Sequence, residues 1–255
     1  MTRTRAPIRD PRTVARDIPG VLDALFPHLT QGIVASINRR SVALAQLEIV
    51  STELVDTSRL QKAMLFELAV VVAEELIDRR ETIDWASCLE VAVERQRSYF
   101  DAVLPSELSE ADRTVAFRVA NNLVTMLDVF RSEAPNEGFN RAPTIPGYQW
   151  IGSGLGDFSV GATLIEVKCT GKHFSSSDYR QILMYWLLSY CAAIESGKPE
   201  WASGILVNPR LNLFVKFSFD EIISVISGGQ SKVEIVEIFS AILGSRSPLK
   251  SWRST

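Results

Sequence analysis

Gly156-Asp157-Phe158-Ser159-Val160-Gly161-Ala162-Thr163-Leu164-Ile165-Glu166-Val167-Lys168 is the stretch on which the fold of this chain turns. Gly161-Ala162 separates two apolar runs, and Gly in first place suits a two-residue type II′ hairpin. Counting outward from that loop, Val160 faces Thr163, Ser159 faces Leu164 and Phe158 faces Ile165. Asp157 then stands directly opposite Glu166, with Cβ atoms about 5 Å apart. Two like charges there are unfavourable unless one takes a proton or a cation lies between them. Oxygen ligands at that spacing suit a hard ion, which makes Mg²⁺ the expected cofactor, with Mn²⁺ as a substitute. Lys168 lies two residues past Glu166, hence on the same strand face, while Phe158, Ile165 and Val167 point to the other. The expected ligands are Asp157, Glu166 and the backbone carbonyl of Val167. Lys168 is placed to orient or deprotonate a metal-activated water.

The surrounding chain reads as an α/β layer behind a helical region. Residues 1–20, rich in Arg and Pro, read as a flexible basic arm. Residues 21–132 read as mainly helical: 60–80 is apolar almost all round, and 85–100 and 112–131 are amphipathic at the 3.6 period. Ser109 three residues before Asp112 forms a short capping box. Residues 133–147, with three Pro and two Gly, read as a loop and as the best domain boundary. Beyond it, 148–151, 155–160 and 163–169 read as strands, and 177–195 as a helix capped by Ser177 and stopped by Gly197. Strands follow at 204–208 and 211–219, then a short helix capped by Asp220 and another at 233–243. This places a core domain at 133–245 and a basic tail at 246–255.

Composition narrows the function classes. No run of about 18 apolar residues is present, so no membrane span is expected. Cys88, Cys169 and Cys191 lack CxxC spacing and suit buried thiols in a reducing cytoplasm. Only two histidines occur, His28 and His173, which argues against zinc sites. Residues 1–135 carry 16 Lys/Arg against 20 Asp/Glu, and residues 136–255 carry 11 against 10. Nucleic-acid affinity is therefore expected to be local or supplied by a partner.

The segment around Asp157 resembles the PD-(D/E)XK nuclease superfamily, which includes many restriction and phage-defence nucleases. The likeness lies in Gly156-Asp157 at one strand end, Ile165-Glu166-Val167-Lys168 on the next, and Gln181 and Tyr185 four apart on the following helix. It extends to the strand end at Asn208-Pro209-Arg210. It covers the C-terminal half alone, and Gly156 stands where that pattern often has Pro. The resemblance implies a restriction-endonuclease-like mixed sheet flanked by helices and preceded by the helical region. It implies a Mg²⁺-dependent DNA endonuclease in bacterial restriction or anti-phage defence, in which Gln181 and Tyr185 line the site. A homodimer or a larger complex is the expected assembly, and the cytoplasm the expected place. A non-catalytic subunit of this fold that binds DNA or a partner, an RNA-cleaving enzyme and a hydrolase of small phosphate esters are the alternatives. Many members carry a further acid on an upstream helix, for which Asp128, Glu133, Glu74 and Glu75 are candidates. Arg180, Lys172 and Arg210 are the candidate phosphate contacts, with His173, Arg39-Arg40, Arg79-Arg80 and the tail (Arg246, Lys250, Trp252, Arg253) as weaker ones.

Overall fold

The computed structural model describes residues 9–18, 20–78, 82–97, 103–197 and 199–245. The pair Arg79-Arg80, the first eight residues of the expected arm and the tail from 246 lie outside these. In chain order the elements are α1 (Pro11–Asp17), α2 (Val21–Leu25), α3 (Gln31–Asn38), α4 (Thr52–Val55), α5 (Lys62–Ile77), α6 (Trp85–Gln96) and α7 (Glu110–Ser132). Next come β1 (Phe139–Arg141), β2 (Thr144–Ile145), β3 (Gly154–Leu155), β4 (Phe158–Val160), β5 (Thr163–Val167) and α8 (Ser176–Ser196). The chain ends with β6 (Ser203–Asn208), β7 (Leu213–Ser218), α9 (Phe219–Ile226) and α10 (Lys232–Ser245).

A five-stranded mixed sheet in the order β1-β4-β5-β6-β7 forms the centre. The β4–β5 hairpin has the expected register, Phe158 with Ile165, Ser159 with Leu164 and Val160 with Thr163. Gly161 takes φ +53°, as the first position of a type II′ turn requires. β5 and β6 are parallel. Parallel neighbours need a long crossover, and α8 supplies it.

Pleating sends alternate residues of β5 and β6 into two separate cores. Leu164 and Leu206 join Val215 and Phe217 beneath α8, together with residues of α1, α2, α3, α9 and α10. Ile165, Ile205 and Val207 join Phe158 and Phe214 beneath α5, α6 and α7. N-terminal helices thus belong to both layers that cover the sheet: α5, α6 and α7 on one face, and α1, α2 and α3 together with α8, α9 and α10 on the other. The expected boundary at 133–147 is also not a plain loop. β1 pairs with β4 and β2 with β3 inside or across it. Strands of two or three residues are too short to display a period of two, so their sequence reads as loop.

Other expectations shift in detail. Residues 148–151 make a turn closed by reciprocal Tyr148 and Ile151 backbone hydrogen bonds of 3.0 Å, with Gln149 at φ +53°, not a strand. The run 155–160 breaks at Gly156-Asp157 into β3 and β4. α8 is capped by Ser175 instead of Ser177, and α9 by Ser218 instead of Asp220. In both, the cap is the Ser three residues ahead of an acid, as with Ser109 and Asp112. Gly197 ends α8 in the left-handed conformation, as expected. Residues 9–18 are not a free arm. Asp10 caps α1 through Arg12 and Thr13, Pro11 occupies the first turn, and Val14 and Ala15 are buried. Among the described residues, no helix is long and apolar enough to cross a membrane.

Candidate active site

β5 and α8 deliver the chemistry-bearing side chains to one end of the sheet. Glu166 points to the α8 side because its neighbours Ile165 and Val167 face the other core. It is fully buried, and Lys168 is nearly so. Lys168 Nζ donates to Glu166 Oε1 and to Gln181 Oε1, both at 2.8 Å. Gln181 Nε2 donates to the same Glu166 Oε1 and, at 2.9 Å, to the Tyr185 hydroxyl. Gln181 and Tyr185 reach this point together because residues four apart share a helix face. Burial, with Glu166 adding to it, raises the Tyr185 phenol so that it stays protonated.

Asp157 approaches from β4. The expected ladder pair with Glu166 is absent: β4 pairing stops at Phe158. Instead the Asp157 carbonyl accepts from Ala142 N–H, and its Oδ2 accepts from Val167 N–H at 2.7 Å. This hydrogen bond pins the half-buried carboxyl beside β5. Burial and the neighbouring Glu166 push it up to about 7, against the pull of Lys168 and Arg12.

Glu166 Oε2 is buried and has no hydrogen-bond partner among the described residues. A buried carboxylate oxygen without a hydrogen-bond partner, next to a second carboxyl, is costly unless a further donor or cation satisfies it. Among the described residues no third His, Cys, Asp or Glu completes a cluster. Mg²⁺ is commonly held by one or two carboxylates with water filling its other positions, so Asp157, Glu166 and the Val167 carbonyl fit such an ion.

These residues open into a cleft of about 500 Å³, lined also by Arg12, Phe66, Glu67, Glu74, Arg95 and Cys169. Of the upstream acids considered, Glu74 alone faces it. Asp128 pairs with Arg131, and Glu133 with Lys216, both at the surface. Glu74 is itself tied to Arg95 at 2.7 Å, and Glu67, two turns earlier on α5, lies 3.3 Å from the same guanidinium. Burial and the nearby Asp157 push the Cys169 thiol up to about 12, which leaves it a protonated part of the wall.

The candidate phosphate contacts separate. Arg180 pairs with Asp23 on α2, away from the cleft lining. Arg210 is buried, donating to Val50 carbonyl and Thr52 Oγ1. It ties the β6–β7 turn to the α4 region and is not presented to a ligand. Lys172, His173, Arg39 and Arg40 are exposed and do not line the cleft. Sequence reasoning missed Arg12, Glu67 and Arg95. For Arg12 a signal existed: Asp10-Pro11 is an N-cap followed by Pro in first position, a helix start in a stretch rich enough in Arg and Pro to read as an arm. Comparisons with protein-family models, with curated proteins and with solved structures returned no match.

Proposed function

We propose that this protein is a metal-dependent nuclease of the PD-(D/E)XK kind that hydrolyses phosphodiesters in DNA. The observation that carries the reading is the buried Lys168–Glu166–Gln181 triangle, whose remaining carboxylate oxygen stands unpartnered beside Asp157 at a cleft. Lys168 and Gln181 both engage one oxygen of Glu166, which leaves the other, buried oxygen open to a further cation. Asp157, Glu166 and the Val167 carbonyl are the groups that would hold Mg²⁺. When bound, Mg²⁺ neutralises phosphate charge and makes a water molecule more acidic. Lys168, held in place by two acceptors, would orient that water and offset charge developing on a phosphate oxygen. Gln181 fixes Lys168 and Glu166 relative to each other, and Tyr185 fixes Gln181. The openness of the cleft between the α5 wall and the sheet end suits a polymer. The site acts on phosphate alone, so RNA is the competing substrate, and a role in restriction or anti-phage defence is the expected setting.

The test is cleavage of plasmid, linear and single-stranded DNA and of RNA with Mg²⁺, Mn²⁺ or EDTA. Lys168→Ala is expected to lower kcat at least about 100-fold while still binding Mn²⁺ by calorimetry. Asp157→Ala is expected to lose both. Wild-type protein that neither binds metal nor cleaves any substrate would sink the reading. Metal binding without cleavage by the wild type would favour the non-catalytic, nucleic-acid-binding alternative.

A further inference from the structure

Arg12 belongs to a segment that is anchored at both ends of the site. Arg9 bridges Ile151, and its carbonyl accepts from Gly152 N–H at 2.9 Å. The Pro11 ring packs against Gly154, and α1 lies along α8 with Val14 fully buried between them. This fixes the helix so that Arg12 lines the cleft beside Asp157, Glu166 and Lys168.

Its bonding sets it apart from the cations around it. Lys168 is engaged by Glu166 and Gln181, and Arg95 by Glu67 and Glu74. Arg16 faces Asp178 at 3.7 Å, and Arg141 pairs with Asp78. Among the described residues Arg12 makes no direct ion pair. Burial opposes its charge, but Glu166, Tyr185 and Asp157 hold it, so the guanidinium stays protonated with donors to spare. A guanidinium has five N–H donors in a planar fork that matches two phosphate oxygens.

We infer that Arg12 is a substrate-binding residue that grips the phosphate at or next to the scissile bond, so that the N-terminal helix α1 is part of the active site. This rests on the nuclease reading, and the experiment separates the two. Wild type, Arg12→Ala and Arg12→Lys are compared by Mn²⁺ calorimetry, thermal melting, cleavage kinetics, and polarisation of a short fluorescein-labelled DNA duplex in Ca²⁺. Arg12→Ala is expected to bind Mn²⁺ at least as well as wild type, since a neighbouring positive charge is gone. It is expected to bind the duplex at least about tenfold more weakly, and the slope of log affinity on log salt is expected to fall by about one. kcat/KM is expected to fall about 100-fold, with partial recovery in Arg12→Lys, which keeps the charge but not the fork. Should Arg12→Ala fail to fold, Arg12→Gln is read in its place. A wild type that binds Mn²⁺ and cleaves, beside an Arg12 variant with unchanged duplex affinity and salt slope, overturns the Arg12 role alone. Faster cleavage by the variant also overturns it, since Arg12 would then be a latch on the site. A wild type that neither binds metal nor cleaves overturns the nuclease reading and this role together.

Discussion

Asp157 occupies a position that costs the folded protein stability. Its carboxyl is pushed up to about 7 by burial and by Glu166, whereas an Asp in the unfolded chain titrates near 3.9. A raised folded pKa means that this group's stabilisation is fully present below about pH 4 and is lost as pH rises through about 7. Metal-free protein is therefore expected to melt at progressively lower temperature over that window. Asp157→Asn removes the charge while keeping an oxygen that accepts from Val167 N–H. In EDTA at pH 8 the variant is expected to melt above wild type, with the pH dependence flattened and cleavage abolished; a lower melting temperature at that pH would contradict the account. Arg210 gives the opposite pattern. Its guanidinium is buried against Val50 and Thr52, so Arg210→Ala is expected to destabilise by roughly 1–3 kcal/mol through the unpaired groups left behind. Urea unfolding measures that cost, and polarisation of labelled duplex should find the DNA affinity of the folded variant unchanged. At this scale the shared faces of Glu166 with Lys168 and of Gln181 with Tyr185 were legible from strand and helix periods, whereas Asp157 meets them through its hydrogen bond from Val167 N–H and not through the expected ladder pair. Arg12, Glu67 and Arg95 were not legible, since each comes from another element and only packing brings them to the cleft.

Elements with a strong local signal were read to within a few residues, and those without one were not. α7 and α8 are long and carry Ser caps, with Gly197 ending α8, so their period and caps agree, while α5 was legible from its length and its nearly continuous apolar run. The β4–β5 hairpin was legible because Gly161 in first place of a two-residue loop dictates the register. β1 and β2 were hidden by their length. Close packing of α8 on the sheet rests on Gly204 of β6. A Cβ there would lie 2.7 Å from the Phe217 ring and 3.1 Å from Ile182 of α8. Gly204→Ala is expected to push α8 away from β5 and to cost about 1–3 kcal/mol as overpacking. Chemical denaturation would register the loss, and kcat should drop with it because Gln181 rides on the same helix. A variant with wild-type stability and kcat would mean that α8 is free to shift.

For the molecule as a whole, the division of the chain into a helical region and a separate core does not survive folding. Phe158, Ile165, Ile205 and Val207 of the sheet are buried by α5, α6 and α7 in one continuous core. A fragment comprising residues 133–245 would expose that face and is expected to be molten, binding a hydrophobic dye and lacking near-ultraviolet circular dichroism, which the full chain is expected to show. A fragment with sharp, native-like spectra would restore the two-domain view. What the sequence by itself determined is local. The hairpin register, the helix periods and the shared strand face of Glu166 and Lys168 follow from alternation, turn chemistry and caps, all of which act within a few residues. What only the tertiary structure decided is long-range. α5, α6 and α7 of the N-terminal half cover one face of the sheet, α8 covers the other together with α1, α2 and α3, and α1 carries Arg12 into a cleft formed by residues far along the chain. Apolar surface is buried without regard to distance in sequence, so its partners are set by the packing of the whole chain.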